Sequence, residues 1–156
     1  MHYALAVGSN RGDRRGFIAR AASALVADGR VELVAQSRLI ENPAVGGPSG
    51  QQDFLNGMWL VDTALGPHQL LMRLQRIESA LGRVRVISNG PRTIDLDLIM
   101  SADGQVISTV LLELPHPRMC ERPFVLEPLA EVAPRWQHPI TGLNVEDMWQ
   151  QLRDAS

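Results

Sequence analysis

A chain of 156 residues, 45% hydrophobic and 21% charged, has enough apolar material for one packed domain and too little charge bias for a disordered one. The net charge of -2 and pI near 6.1 leave no basic footprint for a polyanion, and four Phe and Tyr residues offer few faces for stacked bases, so nucleic acid is excluded as the expected partner. No apolar run approaches the roughly 18 residues of a membrane span and MHYALAVGSN lacks a signal peptide's cationic lead; no membrane partner and a cytoplasmic location are expected.

Tyr3 to Val7 reads as a short strand running into a GSN turn. Asp13 then caps a helix with Phe17, Ile18, Ala21 and Leu25 on one side, stopped by Gly29. Residues 31–40, VELVAQSRLI, are β-branched and roughly alternating, which predicts a second strand. The Gly- and Pro-dense NPAVGGPSGQQ follows as a loop, a candidate substrate lid. DFLNGMWLVDT predicts a third strand, with Phe54, Asn56 and Met58 on one face and Leu55, Trp59 and Val61 on the other.

Pro67 opens the clearest helix, where Leu70, Leu74, Ile77 and Leu81 recur at helical spacing and Gly82 closes it. GPRTIDLDLIM predicts a fourth strand, with Asp103-Gly104 turning it into VIST as a hairpin. The Pro-rich tail from Leu114 holds helical stretches around 125–132 and 145–152, the latter capped by Asn144. Strand, helix, strand, strand, helix, strand is the order of a ferredoxin-like α+β domain: an antiparallel sheet with helices on its faces, here with an added hairpin and C-terminal helices, and 1–156 is expected to be a single domain.

All fifteen basic residues are Arg, so a Walker loop, a kinase-type lysine and a Schiff-base lysine are excluded. Any grip on phosphate must come from guanidinium forks, backbone amides or metal. The single Cys120 excludes an internal disulfide and a multi-cysteine metal site and reads as a buried or inert thiol.

Asp95 and Asp97 are two apart on a strand, so they share a face roughly 7 Å apart at Cα, within reach of two Mg²⁺ ions ~4 Å apart. Alone, such a pair fits a solvated sheet face better. Arg83, Arg85 and Arg92 precede it on a Gly/Asn-rich loop and, in a chain without Lys, read as clamps on a polyphosphate. Gln75 and Glu78 lie at the edge of the preceding helix's apolar face and, as isolated residues, read as surface polar groups. His116 in LPHPR is held extended by its prolines; a lone His is more often structural than catalytic, and no second His stands at zinc-ligand spacing. Phe54 and Phe124 fit either the core or the two sides of a flat heterocycle, with Asn56 reading its polar edge.

In combination, ALAVGSN, NPAVGG with QQDFLN, LQRIESALGRVR, GPRTIDLDLI and LPHPRMCERPFVLEPLAEVAP, in order from about residue 3 to 134, resemble the 6-hydroxymethyl-7,8-dihydropterin pyrophosphokinase family of the folate pathway. The resemblance implies transfer of the βγ-diphosphate of ATP to the hydroxymethyl group of the reduced pterin, with release of AMP and with two Mg²⁺ held by Asp95 and Asp97. It implies that Arg83 and Arg92 grip the phosphates and act in catalysis with the two aspartates. Gln75, Glu78, Arg85, Leu98, His116 and Arg122 would line the ATP site with them. Asn42, Pro43, Val45, Phe54, Asn56, Asp95 and Phe124 would form the pterin pocket. A monomer is expected.

The chain departs from that pattern at Leu111, where an Arg is usual, at Asn89, where some members carry an aromatic, and at Ile40 and Asn42, in a segment that usually reads Y-x-T. Two other readings fit parts of the sequence. A D-x-D glycosyltransferase would bind nucleotide sugars rather than ATP analogues, and a non-catalytic ferredoxin-like module would release no AMP.

Overall fold

The computed structural model describes residues 1–43, 50–82 and 93–155. Its elements are β1 (His2–Ser9), α1 (Arg14–Val26), β2 (Val31–Gln36), β3 (Ile40–Asn42), β4 (Phe54–Thr63), α2 (Pro67–Ala80), β5 (Asp95–Ser101), β6 (Ile107–Ser108), β7 (Glu113–Leu114), α3 (Pro123–Val132) and α4 (Val145–Asp154). The main sheet runs β2-β4-β1-β5, antiparallel at each pairing, with β3 also paired to β4. This is the expected ferredoxin-like arrangement, in which the two long helices return the chain across one face.

Local chemistry sets the helix ends as the sequence predicts. Asp13 accepts the Gly16 amide at 3.1 Å, and Gly29 takes a positive φ of 76° beyond the end of α1. Asn144 accepts the Asp147 amide at 2.8 Å and starts α4. Helix α2 begins at Pro67 and buries Leu70, Leu74 and Ile77. Each fully buried Leu contributes about 1.5–3 kcal/mol relative to an exposed one, so this stripe holds α2 on the sheet more firmly than propensity would.

Alternation along the strands gives the domain two cores. Tyr3, Leu5, Val7, Leu55, Trp59, Val61, Leu96 and Leu98 face α1 and α2. Ala4, Met58, Leu60, Ile99 and Met100 face the other way, under α3 and α4. The register between β1 and β5 shifts at one point: Ala4 pairs with Met100 but Leu5 with Leu98. Ile99 is the extra residue of this bulge, which lets both Ile99 and Met100 join the second core.

Two expectations are corrected. The strand predicted over 31–40 breaks after Gln36, where the Ser37 hydroxyl accepts the Met58 amide at 2.8 Å and donates to the Arg38 carbonyl at 2.8 Å; pairing resumes at Ile40 against the other half of β4. The turn at Asp103-Gly104 forms, with Gly104 at φ 73°, but β6 pairs with β7 and not with β5. The outer edge of β5 is met instead by the segment after β7, where the His116 amide donates to the Ile99 carbonyl at 2.7 Å.

Candidate active site

Among the described residues, the second face of the sheet is covered at one end and open at the other. Helices α3 and α4 cover Ala4, Leu60 and Met100, while toward the C-terminal end of β1 the same face opens. There the register lays out two transverse rows. Asn56 of β4, Gly8 of β1 and Asp95 of β5 stand side by side, with Ile40 of β3 beyond Asn56; one step along lie Met58, Ala6 and Asp97. Asp95 and Asp97 are half-buried and share this face, while Leu96 and Leu98 between and beyond them are buried in the first core. A run of apolar residues accommodates two carboxylates because they open over Gly8 and Ala6, the smallest residues of the neighbouring strand.

On the β4 side, Asn42 lies opposite Phe54 and donates its Nδ2 to the Asn56 Oδ1 at 3.0 Å. Among the described residues, the Asn56 Nδ2 and the Asn42 Oδ1 have no further hydrogen bond, so the pair presents one donor and one acceptor. Phe54 is half-buried, and Pro43 is exposed at the rim. Arg14 of α1 ties the two flanks of the 42–52 loop together: its Nη2 donates to Glu41 at 2.8 Å and its Nη1 to the Asp53 carbonyl at 2.9 Å. Asn10, just past β1 and 1% exposed, donates to Gln51 at 3.1 Å. Sequence reasoning named none of Gly8, Asn10 and Arg14 as site residues; the one legible signal is Gly8 falling in phase with Ala4 and Ala6.

The third wall is the segment from His116 to Phe124. Burial first, then the positive charges of Arg122 and Arg118, push the His116 pKa below its ordinary 6.5, while the Asp95 carboxylate pulls the other way. Its Nδ1 accepts the Arg118 amide at 3.2 Å, which leaves the proton of the neutral ring on Nε2. The Arg122 guanidinium stands 5.6 Å from the centroid of the half-buried Phe124 ring, at the first turn of α3. Asp95, His116, Arg122 and Phe124 are thus brought to one region from two parts of the chain, β5 and the segment that leads into α3.

Other expected residues are placed differently. Gln75 is exposed on α2, as a surface polar group would be. Glu78 is not such a group: it is 4% exposed and its carboxylate accepts the Leu96 amide at 2.8 Å. The Leu98 side chain is 3% exposed in the first core, so what it can offer a ligand is its backbone. Arg83, Arg85, Arg92 and Val45, and Asn89 with them, lie outside the described residues. A hollow of about 650 Å³ at the opposite end of the sheet, between Arg30 and Asp62, gathers none of these groups.

The donor set fits magnesium. Two same-face carboxylates over a strand of Gly and Ala leave room for the water and phosphate oxygens that Mg²⁺ retains, and among the described residues no group of three or more His, Cys, Asp or Glu converges as a transition-metal site. Among the described residues, no helix is long and apolar enough to cross a membrane.

Residues 4–134 match the family model described as 7,8-dihydro-6-hydroxymethylpterin-pyrophosphokinase. The chain is 38% identical over 151 residues to the Bacillus subtilis 2-amino-4-hydroxy-6-hydroxymethyldihydropteridine pyrophosphokinase, covering 94% of this chain and 89% of that one. It is 39% identical over 150 residues to the folic acid synthesis protein fol1 of Pneumocystis carinii, covering 96% of this chain but only a fifth (20%) of that relative's length. In fold it is similar to a crystal structure of wild-type Plasmodium falciparum HPPK-DHPS with pterin and p-hydroxybenzoate, at a TM-score of 0.72, 13% identity, and coverage of 99% of this chain and 43% of that one. With its sheet order, paired aspartates and sequence match in agreement, the chain belongs to the 7,8-dihydro-6-hydroxymethylpterin-pyrophosphokinase family.

Proposed function

We propose that this chain transfers the βγ-diphosphate of ATP to the hydroxymethyl group of 6-hydroxymethyl-7,8-dihydropterin, giving the pterin diphosphate and AMP in folate biosynthesis. The observation that carries the reading is one transverse row of the sheet. Asn56, bonded to Asn42, stands on one side of Gly8, and Asp95 stands on the other, in a member of the pyrophosphokinase family. A heterocycle reader and an acidic phosphate-side group are thus held across a single strand.

Asp95 and Asp97 would hold Mg²⁺, two ions in this reading. Magnesium held there would supply charge neutralisation at the phosphate oxygens. The remaining work belongs to side chains. Asn56 and Asn42 orient the pterin edge, and Phe54 and Phe124 give it apolar faces. The His116 Nε2–H and the Arg122 guanidinium donate to ATP oxygens, with Gln75 and the Leu98 backbone toward the nucleotide. Arg83, Arg85 and Arg92 complete the phosphate grip in this reading, and Val45 and Pro43 the pterin rim. The pterin hydroxyl attacks Pβ as the Pα-side oxygen leaves with AMP, and one proton is released; positioning and charge neutralisation supply most of the acceleration. The protein acts as one domain over 1–156, as a monomer in the cytoplasm.

The test is AMP formation from ATP with and without 6-hydroxymethyl-7,8-dihydropterin, and with Mg²⁺ or a chelator. AMP released only with pterin and metal together supports the reading. Pterin-independent AMP release, or none at all, sinks it.

A further inference from the structure

The geometry points to Gly8 as a positioning residue that sets pterin affinity by leaving the space in which the Asn56 carboxamide lies. This rests on the proposed pterin site and adds a residue to it. Gly8 sits in regular pairing on both sides, opposite Asn56 and Asp95, and its backbone is not in the left-handed region that favours glycine. Conformational freedom therefore does not explain why a glycine stands in the middle of the sheet, where it weakens a strand.

Space does explain it. A Cβ built on Gly8 would lie 2.7 Å from the Asn56 Nδ2 and 3.5 Å from the Phe54 Cδ1. The Asn56 side chain does not stand upright from β4 but folds across β1, over the place where any other residue would begin its side chain. It cannot swing clear without loss, because its Oδ1 is held by the Asn42 Nδ2 at 3.0 Å. An alanine at 8 would push the carboxamide off that bond and turn the Asn56 donor away from its position. The clash is with the end of a short polar side chain and not with backbone, so folding should survive while the pocket's polar edge is displaced.

The experiment is direct titration of 6-hydroxymethylpterin and, separately, of a non-hydrolysable ATP analogue into the wild type, Gly8→Ala, Asn56→Ala and the double variant, with melting temperatures alongside. Gly8→Ala is expected to weaken pterin binding tenfold or more, with ATP-analogue affinity and melting temperature unchanged. In the Asn56→Ala background the same substitution should add less than twofold, because the group it displaces is gone. A merely structural role would not give that non-additivity. Full pterin affinity in Gly8→Ala, or an equal loss in both backgrounds, overturns the inference while leaving the pterin site standing. Failure of the wild type itself to bind pterin overturns the function and the inference together. Should Gly8→Ala alone not fold, recovery of folding in the double variant supports the clash with Asn56, and failure in both backgrounds refutes it.

Discussion

Glu78 of α2 reaches into the sheet and accepts the backbone N–H of Leu96, 2.8 Å away, at a position only 4% exposed. Leu96 lies between the two aspartates of the site, so the bond fixes the outer edge of the strand that presents them. Removing the carboxylate leaves a buried amide unsatisfied, which costs about 1–3 kcal/mol. Glu78→Ala should therefore destabilise the fold by that amount in denaturant melts, and Glu78→Gln, which keeps an acceptor, by less. Equal losses in the two variants would show that the hydrogen bond is not what matters there.

The aspartate pair is expected to govern turnover and not folding. Asp95 and Asp97 are half-buried at the open end of the sheet, and neither supports the packing of the second core. Asp95→Ala and Asp97→Ala should each lower the rate by ~10²-fold or more, the scale of losing a stabiliser of transition-state charge, with melting temperature little changed. Near-normal turnover in either variant would remove the pair from the mechanism.

Arg122 acts on His116 through its charge, besides the ATP contact proposed for it. Its guanidinium is one of the groups holding the His116 pKa down, so Arg122→Ala should raise that pKa while weakening ATP binding. An NMR titration of the His116 ring reads the first effect and nucleotide titration the second. An unchanged His116 pKa would place Arg122 too far from the ring for the geometry described.

Stability should fall with acid. His116 and His138 both titrate below the ordinary 6.5, each chiefly through burial, and His138, 5% exposed, uses its Nδ1 to accept the amides of Ile140 at 3.3 Å and Thr141 at 3.1 Å. The unfolded chain then binds protons that the folded one refuses. The contribution is full above the unfolded pKa and is lost as pH falls from about 6.5 through the lower folded values. Thermal melts between about pH 7 and 5 should show the decline, and His138→Gln should flatten it; the same slope in that variant would clear His138 of any part.

The long periodic elements were legible in the sequence. The alternation of 54–61 assigned both faces of β4 correctly, the spacing of Leu70, Leu74 and Ile77 gave α2, and caps at Asp13 and Asn144 marked two helix starts, since burial repeats at the period of the backbone. Shorter pairings were not. β6 and β7 hold two residues each, too few to show a period, and their partner was decided by which segment reached the edge of β5. Within the site, D-x-D announced itself because carboxylates in an apolar strand need a reason. Glu78 did not: its side chain turns inward from the edge of an amphipathic helix, and only the position of Leu96 explains it. Gly8 was read with Ser9 and Asn10 as a turn, whereas β1 runs on to Ser9.

Where this face opens, β1 carries Ala6 and Gly8, and so contributes almost no side chain between the strands beside it. It serves as a spacer. Asn56 and Asp95, proposed to face the pterin and the phosphates, stand on strands two apart, and their separation is twice the inter-strand spacing, about 10 Å at the backbone. That gauge comes from main-chain hydrogen bonding, which no substitution of a side chain rewrites. Mutation can change what either bank of the trough recognises, but the span between them is inherited with the sheet, so a new acceptor would have to fit that width.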